Sequence, residues 1–207
     1  MYFKKFWEWS PTMTLSNATL AADQSPERYN RGMILLHWAT ALLVLLLFVT
    51  AEIWDFGERG GAFRTNLKLV HYAAGILLAV VFLCRIVWRA VSRKSIPEAE
   101  KGMMGLAAKG AHYALYLGLI VQIGLGFTWR WSQGRAVDFF NLFSIPPLFN
   151  ISQDYRHQLG ELHENLAWLI IIISTLHAVA ALFHHVVLKD GVLLRMVPAL
   201  ADGRKKH

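Results

Sequence analysis

Nine histidines occur in this 207-residue chain, and most stand inside or at the ends of long uncharged runs: His37, His71, His112, His163, His177 and the adjacent His184 and His185. An ionisable ring inside a hydrocarbon layer is costly to place, so such residues mark ligation, proton relay or an interhelical hydrogen bond. Cys84 is the only cysteine. It permits neither an intramolecular disulfide nor a thiolate metal site, which leaves imidazole as the ligand chemistry on offer.

Spacing organises these rings. The stretch HENLAWLIIIISTLH puts 14 residues between His163 and His177, about 40° short of whole helical turns over a rise of about 21 Å, so both rings share one face at two depths. His71 opens an apolar run that enters from the same side as His163 and lies level with it. His37 sits at the other depth, where its partner is His177 or His184. Counting from the nearest cations favours His184: His37 is about 9 Å from Arg31 and His184 about 7.5 Å from Lys189, whereas His177 is about 18 Å away. Two arguments favour His177. A site at His184 would lie about 31 Å from His163, nearly the whole hydrocarbon thickness and poor for electron tunnelling. A flat macrocycle also needs a small residue one turn from its ligand. Ala41, Gly75, Ala167 and Ala181 follow His37, His71, His163 and His177, while Leu188, Tyr116 and Glu161 follow His184, His112 and His157. Spacing alone leaves both partners open.

Two facing imidazoles are too few for tetrahedral zinc, which also favours cysteine or carboxylate. Haem supplies four equatorial nitrogens and needs only two axial ligands, so two pairs of histidines imply two haems b. With no CxxCH motif, covalent attachment is not indicated.

The elements that must position these rings are membrane helices. Hydrophobic residues make up 55% of the chain and charged residues 17%. The uncharged runs cover 32–51, 69–84, 110–129 and 165–188, against the roughly 20 residues that cross a hydrocarbon core. Arg85 completes the second by snorkelling along its stem. The fold expected is all-α, a four-helix transmembrane bundle over 29–198, with an extension 1–28 whose FWEW suits a membrane surface and a basic tail 199–207. Residues 1–28 have no secretory h-region. Lys and Arg concentrate in the N-tail, the second connection and the C-tail, while the first connection holds Arg59, Arg64 and Lys68 and the third Arg130, Arg135 and Arg156. Both termini are therefore expected to be cytoplasmic. The pI near 9.7 reflects this topology and anionic lipid, not nucleic acid. Trp54, Trp129 and Trp131 belong near the outer interface and Trp88 near the inner one. The third connection, with FFNLFSIPPLF, is too apolar for a solvated loop and is expected to lie over the outer surface.

The strings RYNRGMILLHW, LVHYAAGI, ELHENLA and LHAVAALFHHVVLKDGVLLRMVP, in this order, resemble the bacterial cytochrome b561 family, small four-helix cytochromes of the inner membrane. The resemblance covers about residues 28–198. It implies two haems b, the outer held by His71 with His163 and the inner by His37 with His177, and so favours His177 over His184. Similar members pass electrons between periplasmic superoxide and membrane ubiquinone. On that pattern the chain is an oxidoreductase, with ubiquinone as acceptor and superoxide or another periplasmic donor. His184 and His185 become quinone contacts, since imidazole titrates near neutrality. Arg59, Arg64 and Lys68, close to His71, become a funnel for an anion, although the two outer connections together carry a formal balance of −1. Two other readings remain: a cytochrome b subunit of a larger membrane dehydrogenase or hydrogenase, and a haem-free metalloenzyme or transporter that uses the histidines directly. Oligomeric state is not legible in the sequence.

Overall fold

A computed structural model of the chain describes residues 29–92 and 102–197; the surface segment expected in 1–28 and the tail 199–207 lie outside the described residues. Each apolar run forms one helix: α1 (Arg31–Ile53), α2 (Ala62–Val91), α3 (Gly102–Ser132) and α4 (Arg156–Phe183). All four are long and apolar enough to cross a membrane. Even α1, with 23 residues, spans about 35 Å. All six prolines of the sequence lie outside these helices. Within α1, the Thr40 and Thr50 hydroxyls donate to the Leu36 and Leu46 carbonyls, so neither leaves an unpaired polar group at membrane depth. Leu42, Leu45, Val80, Leu83, Leu176 and Leu182 point outward as a lipid-facing surface.

The helices form two hairpins. Close backbone approach is concentrated between α1 and α2 and between α3 and α4, while α2 and α3 touch at only a few points across the seam. Leu78 and Phe82 of α2, Leu119 of α3 and Ile170 of α4 fill the middle of that seam, packed by Leu43 and Leu47 of α1. These positions lie midway along α2 and α4 between the two histidine levels, so an apolar plug separates an outer from an inner cluster.

The third connection folds over the end of the bundle that carries His71 and His163, called the outer end here. Gly134, at φ 66°, donates its N–H to the Trp131 carbonyl at 2.8 Å and stops α3 with a conformation that suits glycine. Strands β1 (Val137–Phe139) and β2 (Phe143–Ile145) follow as an antiparallel pair with Val137 opposite Ile145. Val137 and Trp131 bury against Ile76 of α2, with Tyr72 and Phe127 alongside. The apolar residues that made this loop unlike a solvated one are its contact with the bundle.

At the other end α4 runs into a π turn over His184–Leu188, and Lys189 at φ 54° reverses the chain. Trp38 then donates from Nε1 to the Met196 carbonyl at 3.2 Å, and the Tyr29 N–H reaches the Arg195 carbonyl at 3.4 Å. Both described ends of the chain therefore meet at the same end of the bundle. Trp88 packs on α1 at Gly32, where an added Cβ would sit 2.9 Å from the indole. One expectation is corrected here. Arg85 does not snorkel outward; it turns into the bundle, with Nη2 at 3.0 Å from His37 Nδ1, because α2 presents it to the seam and not to the headgroups.

Candidate functional site

The outer cluster joins the two hairpins. His71 of α2 and His163 of α4 face each other with ring centroids 6.4 Å apart and planes at 72°. Two metal–nitrogen bonds of about 2 Å each, plus half of each ring, come to about 6 Å. His71 is fixed by its surroundings: its Nδ1 lies 3.0 Å from the Leu47 carbonyl, which can only accept. Nδ1 must therefore carry the hydrogen, and Thr50 Oγ1 at 3.2 Å shares it. The lone pair is left on Nε2, the usual result when a second group orients a ligating histidine.

His163 is held differently. Gln122 of α3 donates to the His163 carbonyl at 3.0 Å, while the ring's own Nδ1 is buried with no hydrogen-bond partner. A buried imidazole nitrogen without a partner costs free energy unless something takes its lone pair or its hydrogen. Gly126 of α3 makes room for this ring: a Cβ there would stand 3.2 Å from His163 Cε1. Trp54 and Trp129 wall the cluster at 5.2 Å from His71 and 5.8 Å from His163.

The inner cluster brings together more than the sequence placed there. His37 of α1 lies within electrostatic reach of His177 and His112. The His112 and His177 rings touch edge to face at 5.0 Å. His112, set aside by the small-residue argument, is thus a direct neighbour of His177, a contact between α3 and α4 that one-helix spacing cannot see. Arg85 reaches His37, and its guanidinium lies 5.2 Å over the Tyr116 ring of α3. His184 is elsewhere, in the π turn, where its Nδ1–H donates to Asp190 Oδ2. His185 beside it has a buried Nδ1 with no hydrogen-bond partner.

Among the described residues no group of three or more His, Cys, Asp or Glu is arranged to hold a metal ion. A metal at the outer cluster would meet two imidazoles from opposite hairpins, the number of protein ligands that haem, with four nitrogens of its own, calls for. The residues present fit haem on this count.

Arg59, Arg64 and Lys68, expected to steer an anion, do come together. They line a cavity of about 710 Å³ with Arg130, Arg135 and Tyr72, against the single carboxylate of Asp138. Arg64 pairs with Asp55, Arg130 with Asp138, and Lys68 Nζ lies 5.4 Å over the Trp54 ring. Arg130 and Arg135 were not legible as part of this group, since the hairpin fold of the third connection carries them there.

A family model described as prokaryotic cytochrome b561 matches residues 28–199. The chain belongs to the prokaryotic cytochrome b561 family. It is similar to cytochrome b561 homolog 2 of Escherichia coli (32% identical, 86% of this chain and 95% of the relative). It is also similar to the probable superoxide oxidase CybB of Yersinia pestis (31%, 83% and 97%). A probable Ni/Fe-hydrogenase B-type cytochrome subunit of Bradyrhizobium diazoefficiens is 24% identical over 87% of this chain and 91% of its own length. As a cytochrome b561 this is a multi-pass membrane electron-transfer protein of b-type haem. Membership sets aside the haem-free metalloenzyme or transporter.

Proposed function

We propose that this cytochrome b561 holds two haems b, one between His71 and His163 and one between His37 and His177, and moves single electrons from superoxide or another periplasmic donor to ubiquinone. The observation that carries the reading is the approach of His71 and His163 to 6.4 Å across the seam between the two hairpins. When bound, haem supplies reversible one-electron chemistry. The chain's own residues do the rest. Thr50 and the Leu47 carbonyl hold the His71 tautomer, Gly126 keeps the His163 ring clear, and the Leu78, Phe82, Leu119 and Ile170 plug excludes water between the two levels.

Both ends of the route have suitable chemistry. The basic cavity abuts the outer pair, since Lys68 and Tyr72 flank His71 on α2 and line it, and such a field raises the local concentration of a small anion. At the inner end His184, anchored by Asp190, and His185, with its unpartnered nitrogen, stand about two turns beyond His177, where a quinone carbonyl can be hydrogen-bonded and protonated. The basic residues of the tails and second connection orient this end to the cytoplasm in the bacterial inner membrane.

The test is a haem count and a rapid-mixing measurement on purified protein. Two low-spin haems b per chain and fast reduction of a quinone analogue by superoxide are expected. A relative named as a hydrogenase cytochrome subunit supports a second reading, in which a protein partner is the donor. Two intact haems that superoxide does not reduce, together with copurification of an iron–sulfur protein, would favour it.

A further inference from the structure

Arg85 and Arg89 lie on one face of α2, one turn apart, in its inner half. Like charges at this spacing repel, and more so away from bulk water. Both guanidiniums crowd the same ring of α3, 5.2 and 5.8 Å over Tyr116. No carboxylate among the described residues pairs with either. Two of the polar atoms here are buried without a hydrogen-bond partner, Arg85 Nε and Tyr116 Oη, and both carry hydrogens to donate. Apart from the His37 nitrogen and the Tyr116 oxygen the place offers only donors, the makeup of a site for an oxyanion.

The contact from Arg85 to His37 sharpens this. A neutral imidazole has one lone pair. If that lone pair goes to iron, the other nitrogen carries a hydrogen, and neither can accept from a guanidinium. The 3.0 Å bond from Arg85 Nη2 to His37 Nδ1 is therefore incompatible with His37 as an iron ligand through either nitrogen. A ligating His37 obliges Arg85 to find another acceptor within reach of its stem, beside Arg89 and Tyr116. Haem b brings two carboxylates on one edge of its ring.

We infer that Arg85 and Arg89, with the Tyr116 hydroxyl, form the clamp for the propionate carboxylates of the inner haem, on the side of α2 that faces α3. The inference rests on the two-haem reading above. An anionic lipid phosphate offers similar oxygens, but Arg85 sits against a haem-ligand candidate with its guanidinium over the Tyr116 ring, so a carboxylate attached to the haem is the nearer source.

Haem-depleted protein reloaded with iron protoporphyrin IX or with its dimethyl ester distinguishes the sources. Wild type should favour the free acid at the inner site about tenfold or more, the ratio expected from one charge-assisted hydrogen bond. Arg85→Gln with Arg89→Gln should abolish that preference. Arg85→Lys and Arg89→Lys, which keep the charge and perturb the fold less, should shift the propionate bending band in resonance Raman spectra of the protein as purified. Arg89→Gln is informative alone, because Arg89 is not bonded to His37 and a role limited to orienting that ring predicts no change. A haem count below two in wild type sinks both this inference and the two-haem reading. Two haems with no preference for the free acid, or with a preference and Raman band unmoved by the substitutions, overturn the inference alone, and loss of copurifying anionic lipid in the same variants would then assign the site to a headgroup.

Discussion

At the residue scale the rings are distinguished by what holds them. His71 is locked by a carbonyl that can only accept, and His163 has a nitrogen with nothing to bond. His177 lies among His37, His112 and Arg85, while His184 is tied to Asp190 outside that group. His177→Ala is therefore expected to lower the haem count from two per chain to one, and His184→Ala to leave it at two while slowing quinone reduction. Pyridine haemochrome assay against protein concentration checks the first, and loss of a haem from His184→Ala would reverse the assignment. The small-residue argument read along one helix at a time found Ala181 and Gly75. It missed Gly126, which makes its space for His163 from the neighbouring helix, and it could not show that His112, which it set aside as a ligand, lies against His177.

At the scale of elements, the segment after α4 closes the inner end against α1 and depends on Asp190. Asp190 accepts from His184 and, at 3.0 Å, from the Val192 N–H, which opens the turn that carries Leu194. Burial by itself raises a carboxyl's pKa; here the hydrogen bonds outweigh it and hold Asp190 below its ordinary value. A carboxyl with a depressed folded pKa contributes stability above its unfolded pKa, and that contribution is lost as pH falls through the folded value. Acidification through and below the ordinary carboxylate range should thus loosen residues 190–197. The measurement is amide exchange at Leu194, Met196 and Val197, corrected for intrinsic pH dependence. Protection should fall with acid in wild type and be low already at neutral pH in Asp190→Asn; an identical pH response in the two proteins would assign the hold to another group.

The whole molecule sets the field that an anion meets. Summed over both outer connections the charge is near balance, yet folding gathers five cations and one carboxylate around a single cavity beside His71. Charge steering weakens as the Debye length shortens, from about 10 Å at 0.1 M salt to about 3 Å at 1 M. Reduction by superoxide should accordingly slow with ionic strength. Arg135 is exposed on the rim, and among the described residues no hydrogen bond or ion pair holds it, so Arg135→Glu should lower the low-salt rate about tenfold and converge on wild type at high salt. Stopped-flow haem reduction across a salt series reads this directly. A rate indifferent to both salt and the substitution would show that the cavity does not guide the donor.

The sequence by itself determined the four spans, the two histidine depths on α4 and the level of His71, because helix rise and the cost of charge in hydrocarbon act locally along the chain. The HENLA and KDGVLLRM strings carried the family in the same way. Tertiary structure alone decided which residues of different segments meet. His112 against His177, Gln122 on His163, Arg85 turned inward to His37 and Tyr116, and Arg130 and Arg135 folded over the outer cavity are all meetings between helices or across a hairpin. Such meetings depend on how α-helices rotate and pack against one another, and no spacing within one helix encodes that rotation.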